Sequence, residues 1–321
     1  MAWLKLPAAA LSLIGRQGTL IAALSIFVGL AVPALAALLK PWLGAAIILM
    51  LILAFLRVDP LALRRQWVRP QLVLAAAVWI MLVAPLALGL LFVALGIGRT
   101  APGLYFILVL QISAPGLMSA PAIAALLGLD VALTLGALIA TIAVTPVSAS
   151  LFTHFLLGAA LASPAALGLR LFLIIAGSAL AAAILRRTAG TAFIEAQRER
   201  IDGLSVLAFA SFAVAAMDGV TAHFVADPAQ VAGLTLLAFL LSLGMTALTT
   251  LVFLPAGRDR AFALGLTAGN RNMGLMLTAV GFAVPDIAWL YFAVAQFPIY
   301  LLPHLIRPLA RWATGSALRD G

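Results

Sequence analysis

The chain has 321 residues, of which 65% are hydrophobic and only 9% charged, with a net charge of +9 and no cysteine. A soluble domain needs roughly 25% charged residues to cover its surface, so this composition excludes a soluble enzyme and makes the bilayer the solvent. The missing cysteine removes disulfides, thiolate metal sites and cysteine catalysis, and the basic residues, all but Arg271 in loops or at span flanks, point to anionic lipid and not to nucleic acid.

Apolar runs bounded by Arg, Asp, Pro or Gly predict ten spans at about 20–39, 41–57, 71–96, 103–127, 131–157, 166–185, 203–224, 229–254, 261–283 and 287–306. Ahead of the first run stand Lys5 and Arg16 with no polar cleavage region after it, so that run is expected to be a span and not a removed signal peptide. Tight turns are expected at Lys40-Pro41 and at Pro285-Asp286.

Ten spans with an inside N-terminus put Lys5, Arg16, Arg57, Arg64, Arg65, Arg69, Arg186, Arg187, Arg198, Arg200, Arg258, Arg260, Arg307, Arg311 and Arg319 on one side, and Lys40, Arg99 and Arg170 on the other. By the positive-inside rule both termini are cytoplasmic, and the plasma membrane of a bacterium, its inner membrane, is the expected location. The loop carrying Arg186, Arg187, Glu195, Arg198, Glu199 and Arg200 is the long charged one and divides the chain into five-span halves, about 1–162 and 163–321. Five is odd, so the second half is inverted relative to the first. The expected fold is an all-α integral membrane protein of two inverted five-helix repeats.

Inverted-repeat carriers mark their binding sites with interrupted helices at corresponding places. Span four contains Ser113-Ala114-Pro115-Gly116-Leu117-Met118-Ser119-Ala120-Pro121, and span nine contains Gly265-Leu266-Thr267-Ala268-Gly269-Asn270-Arg271-Asn272-Met273-Gly274. Each is the fourth span of its half. Pro115, Gly116, Pro121 and Gly269 are therefore expected to form the helix breaks, with spans four and nine crossing there.

Arg271 is the one basic residue well inside a predicted span, where its charge requires a partner anion or a polar cavity. An internal ion pair would have to use Asp130 or Asp218, the nearest acids to the membrane interior; the other reading is a role in substrate binding or site electrostatics. Half-helix N-termini at the crossing favour an anion, and a guanidinium holds a carboxylate bidentately. Asn270 and Asn272 are suited equally to satisfying freed backbone groups and to binding substrate. His154, His223 and His304 lie near span ends, where packing explains them. No His-Glu-x-x-His, Walker-type loop or Gly-x-Ser-x-Gly is present, so no enzymatic activity is expected.

Four stretches resemble the bile acid:sodium symporter family, within the superfamily that includes arsenite carriers. They are Pro115-Gly116 followed by Gly128-Leu129-Asp130-Val131-Ala132-Leu133-Thr134; Pro70 and Pro85 bracketing span three; Gly269-x-x-Asn272-x-Gly274-Leu275; and Ala295-Gln296-Phe297-Pro298 in span ten. The resemblance implies a core domain over about 71–157 and 229–306, a panel domain over about 20–57 and 166–224, and transport by alternating access. It also implies substrate contacts from Asn272 and Gln296; Asn270, Arg271 and Thr267 complete the candidate substrate-binding set.

At the family's sodium ligands the resemblance fails. The span-nine glutamate and glutamine are replaced by Thr267 and Arg271, the span-four Ser-Asn pair by Ala120 and Pro121, the span-three glutamine by Ile80, and one span-five hydroxyl by Leu138, while Thr134 keeps the other. Neutral Thr267 with Arg271 carries the same single positive charge as one carboxylate with two sodium ions. The expectation is a secondary active or facilitative carrier of a small organic anion, carboxylate or bile-salt-like, without a cofactor and independent of sodium. Sodium-coupled symport is the alternative, and a channel or receptor-like membrane protein is the alternative from another class. Ala114, where arsenite carriers use cysteine, disfavours arsenite.

Overall fold

The computed structural model describes residues 11, 18–58, 70–158, 163–306, 308 and 310, and these are mostly helical, with no strand among them. Helix α1 is Gly18–Ala31, and α2 is Pro33–Arg57, passing through a 3-10 turn at Lys40–Trp42. Helix α3, Pro70–Ala94, contains a π-helical turn at Trp79–Val83. Next come α4 (Pro102–Ser113), α5 (Ala120–Leu126), α6 (Val131–Leu157) and α7 (Pro164–Ala189). They are followed by α8 (Arg198–Ala216), α9 (Val220–Ala226) and α10 (Pro228–Phe253). The last are α11 (Arg258–Gly269), α12 (Met273–Val280), α13 (Asp286–Val294) and α14 (Gln296–Leu305).

Six stretches of 25–29 residues among these are apolar enough to cross a bilayer: α2, α3, α6, α7, α8 with α9, and α10 with the turn after it. The chain is an all-α membrane protein. Proline starts several of these helices for a local reason. Val32, Ala101 and Asp227 each precede a proline and take non-helical conformations (φ −126°, −144° and −146°), because the following ring disfavours the α region. The proline then occupies the first helical turn, where its missing N–H has no partner to lose.

That rule corrects one expectation. The interruption between the first two helices lies at Val32-Pro33 and not at Lys40-Pro41. Pro41 sits in the first positions of the 3-10 turn inside α2, where an absent donor is tolerated, so the helix continues from Pro33 to Arg57.

The chain separates into two compact units. The first comprises Met1–Asp59 and Phe172–Ala232, the second Pro60–Leu171 and Gly233–Gly321. In the first, α8 packs against α1 and α2. Lys40 Nζ meets Asp218 at 2.8 Å, Arg57 meets Asp202 at 2.5 Å, and Arg186 Nη2 donates to the Leu56 carbonyl at 2.5 Å, supplying a donor where α2 runs out of its own.

In the second unit α6 packs against α3, α4, α5 and α11, and α13 against α4. Asp130 caps α6 by accepting from the Leu133 N–H at 2.9 Å, and lies 3.7 Å from Arg260. Both acids considered as partners for Arg271, Asp130 and Asp218, are thus engaged by other cations. Lys5, Arg16, Arg64, Arg65, Arg69, Arg307, Arg311, Arg319 and the side chain of His304 lie outside the described residues.

Candidate functional site

Within the second unit two helices stop short and meet. The chain leaves helical geometry between α4 and α5 at 114–119, and between α11 and α12 at 270–272. The two breaks pair as a single antiparallel β-bridge, Gly116 opposite Arg271. Leu117 N–H donates to Asn270 O, and Asn272 N–H to Pro115 O, each at 2.9 Å. This is the non-hydrogen-bonded type of pair, in which opposing backbones come to about 4.5 Å. Glycine fits the approach: a Cβ on Gly116 would stand 2.8 Å from Thr267 Cγ2 and 3.3 Å from Thr267 O. Pro115 and Gly116 therefore lie at the crossing itself.

Arg271 is 5% exposed and pins three segments together. Its Nε donates to Ala268 O at 2.7 Å, and its Nη1 donates to Ile80 O at 3.0 Å and to Ala114 O at 2.9 Å. All three acceptors are backbone carbonyls close to places where helical bonding is interrupted. Ala268 is next to last in α11, Ala114 follows α4, and Ile80 lies in the π-turn of α3.

The Ile80 carbonyl is free because of a proline. In the π-turn Ala84 N–H reaches back to Trp79 O, so the donor due to Ile80 O is the N–H of residue 85, and residue 85 is proline. The guanidinium takes its place. Asp130 and Asp218 pair elsewhere, so the positive charge is held by carbonyl dipoles, and the side chain occupies the position of a cation in an oxygen cradle.

The flanking asparagines divide their functions. Asn270 Nδ2 donates to Leu266 O at 3.0 Å, and Asn272 Oδ1 caps α12 by accepting from the Leu275 N–H at 3.1 Å. The other half of each amide, Asn270 Oδ1 and Asn272 Nδ2, is buried without a hydrogen-bond partner. An orphaned buried polar atom costs about 1–3 kcal/mol, so one bare acceptor and one bare donor beside the crossing are a place for a ligand to bond.

The remaining expected residues are placed as follows. Thr267 is fully buried, with its hydroxyl donating to Ala263 O at 2.9 Å and its methyl against Gly116. Gln296 is buried where α13 meets α14, and its Nε2 donates to Phe292 O at 3.0 Å. Pro121 sits in the first turn of α5. Thr134 is buried, with its hydroxyl on Asp130 O at 2.8 Å. Gly269 is the last residue of α11; it is a close-packing position, where a Cβ would come 2.5 Å from Ser242 O of α10.

Two features have no place in the sequence reading. One is the Ile80 carbonyl, whose only signal is Pro85 five residues on. The other is a buried pair, Tyr291 hydroxyl donating to Gln111 Oε1 at 2.6 Å, which ties α13 to α4. A lone glutamine in an apolar span was its signal. Among the described residues no three His, Asp or Glu side chains converge to hold a metal ion. Compared with protein-family models and with curated proteins, the chain matches none.

Proposed function

We propose that the chain is a secondary carrier for a small organic anion, of the carboxylate or bile-salt-like kind, working by alternating access from a site at the crossing of α4–α5 and α11–α12. The observation that carries this reading is the buried Arg271 guanidinium seated on Ile80, Ala114 and Ala268 carbonyls at the point where two broken helices pair. A fixed cation, two residues before the N-terminal end of α12, favours a negative ligand. The bare Asn270 Oδ1 and Asn272 Nδ2 supply one acceptor and one donor for its polar groups.

In this reading the ten helices form two inverted five-helix repeats with cytoplasmic termini in a bacterial inner membrane, and the chain resembles the bile acid:sodium symporter family. The guanidinium does permanently what bound sodium does in such carriers, so transport is independent of sodium and the protein is a uniporter or exchanger. The division into two compact units supports a cycle of this type.

The test is counterflow in proteoliposomes, with carboxylates, sulfonates and bile salts offered in sodium or in choline buffer. Saturable counterflow of at least one anion, equal within about twofold in the two buffers, is expected. A steep rise with sodium would overturn the sodium-independent part, conductance without saturation would indicate a channel, and silence toward every anion would overturn the carrier reading.

A further inference from the structure

A cavity of about 10 Å³ lies inside the second unit, bordered among others by Gln111 of α4, Gly269 of α11, Arg271, Met273 of α12 and Pro298 of α14. That volume is about the least that holds one water molecule, and a water stays in such a space only where several polar groups meet it.

Three of the bordering residues have polar groups left over. Arg271 engages Nε and Nη1 with the carbonyls of Ala268, Ile80 and Ala114, which leaves the two N–H groups of Nη2. Gln111 accepts the Tyr291 hydroxyl on its Oε1, and among the described residues nothing accepts from its Nε2. The third residue is Gly269. Glycine has no side chain, so what it presents to the cavity is backbone. Helix α11 ends there, and a helix leaves its last carbonyls without a donor of its own. Leu266 O accepts from Asn270 and Ala268 O from Arg271, whereas Gly269 O accepts from no described group.

Two donors and one acceptor around a space of this size select its occupant. A cation would face the guanidinium and the Gln111 amide hydrogens. An anion has no hydrogen for the Gly269 carbonyl, and an apolar atom would leave every group unbonded. Water accepts from both nitrogens through its lone pairs and donates to the carbonyl, which makes the roughly three bonds usual for a buried water.

We infer that this cavity is a binding site for one resident water molecule, held by Arg271 Nη2, Gln111 Nε2 and the Gly269 carbonyl. The water gives the guanidinium an acceptor on the side that the three carbonyls leave open. Through Gln111 it joins Arg271 to Tyr291, so that α4, α13 and the end of α11 are linked at the crossing by one molecule. The site stands apart from the transport reading, because it needs only the geometry of the resting protein.

The experiment is X-ray radiolytic labelling of the full-length protein purified in detergent, read by mass spectrometry, because radiolysis splits a bound water in place and oxidises the side chain beside it. Met273 borders the cavity and is 2% exposed; Met276, one turn on and 0% exposed, does not border it. Met273 should gain oxygen roughly fivefold faster than Met276, since a buried water sits beside only the first. Hydrogen peroxide, which has to enter from bulk solvent, should oxidise half-buried Met118 and spare both. Gln111→Leu removes one of the two donors and should bring Met273 labelling down to the Met276 level, with Met118 unchanged. On the unmodified protein alone, Met273 labelled no faster than Met276 would overturn the inference. So would labelling undiminished in Gln111→Leu, or peroxide oxidation of Met273 at the Met118 rate, which would make the space an inlet from solvent. No transport is measured, so a failure here leaves the carrier reading standing, and a failure of that reading leaves this one.

Discussion

Replacing Arg271 with alanine is expected to destabilise the protein by about 3–5 kcal/mol, because three buried carbonyls are left without a donor at about 1–3 kcal/mol each, offset in part by the relief of a buried guanidinium. Three carbonyls, those of Ile80, Ala114 and Ala268, lose their donor together, and they come from three different segments. The loss is of the same order as the whole stability of many domains, so the variant should melt well below the parent and yield poorly in detergent. The cradle left behind is specific in shape. Guanidinium ion at about 10 mM, far below denaturing concentration, is expected to recover part of the lost stability in Arg271→Ala and to do nothing for the parent, while the potassium salt of the same anion helps neither. Arg271→Lys should fall between, because one ammonium on a flexible stem does not span three acceptors as a planar fork does. An Arg271→Ala protein that melts with the parent would show that the carbonyls need no cation. Arg271→Gln belongs to the same series: anion binding and stability should fall together in it, because the group that sets the field also holds the crossing.

The crossing was legible because its causes are residues with chemical signatures. Pro115, Gly116 and the Asn270-Arg271-Asn272 run interrupt otherwise apolar helices, and they interrupt them where the two segments pair. The direction of Arg271 was not legible, because backbone carbonyls carry no side-chain signature; an acid was the natural partner to look for, and Asp130 and Asp218 are taken by Arg260 and Lys40. Ile80 shows the same limit in reverse. Its aliphatic side chain stands where a sodium ligand is expected, yet the oxygen that matters is its carbonyl, freed by Pro85 and the π-turn. The first helix boundary went astray at Lys40-Pro41 because charge and proline coincide there, while Val32-Pro33 is unmarked by charge; only the turn geometry separates a proline that ends a helix from one that a helix absorbs.

Gly269 ends α11 at the break, and it is also a close-packing position. A Cβ there would lie 2.5 Å from Ser242 O and closer still to Thr246 Oγ1, and one at Gly265, a turn earlier, would lie 2.6 Å from Thr246 O. Small residues four apart let α11 lie directly on the backbone of α10, which in a membrane protein is how helices gain contact when lipid is as apolar as the side chains. Gly269→Ala is expected to cost about 2–3 kcal/mol, because the obstacle is backbone and the helices must separate. Alanine is otherwise the better helix former by about 1 kcal/mol, so the sign of the change is diagnostic. Gly244 provides the control on α10 itself: nothing lies within 4 Å of the Cβ it lacks, and Gly244→Ala should be neutral or slightly stabilising. The separation forced by Gly269→Ala falls between Ser242 and the Asn270–Asn272 break, so it should weaken anion counterflow as well as lower the melting temperature. If Gly269→Ala matches Gly244→Ala in both measurements, the close packing of α11 on α10 is not what holds the break in place.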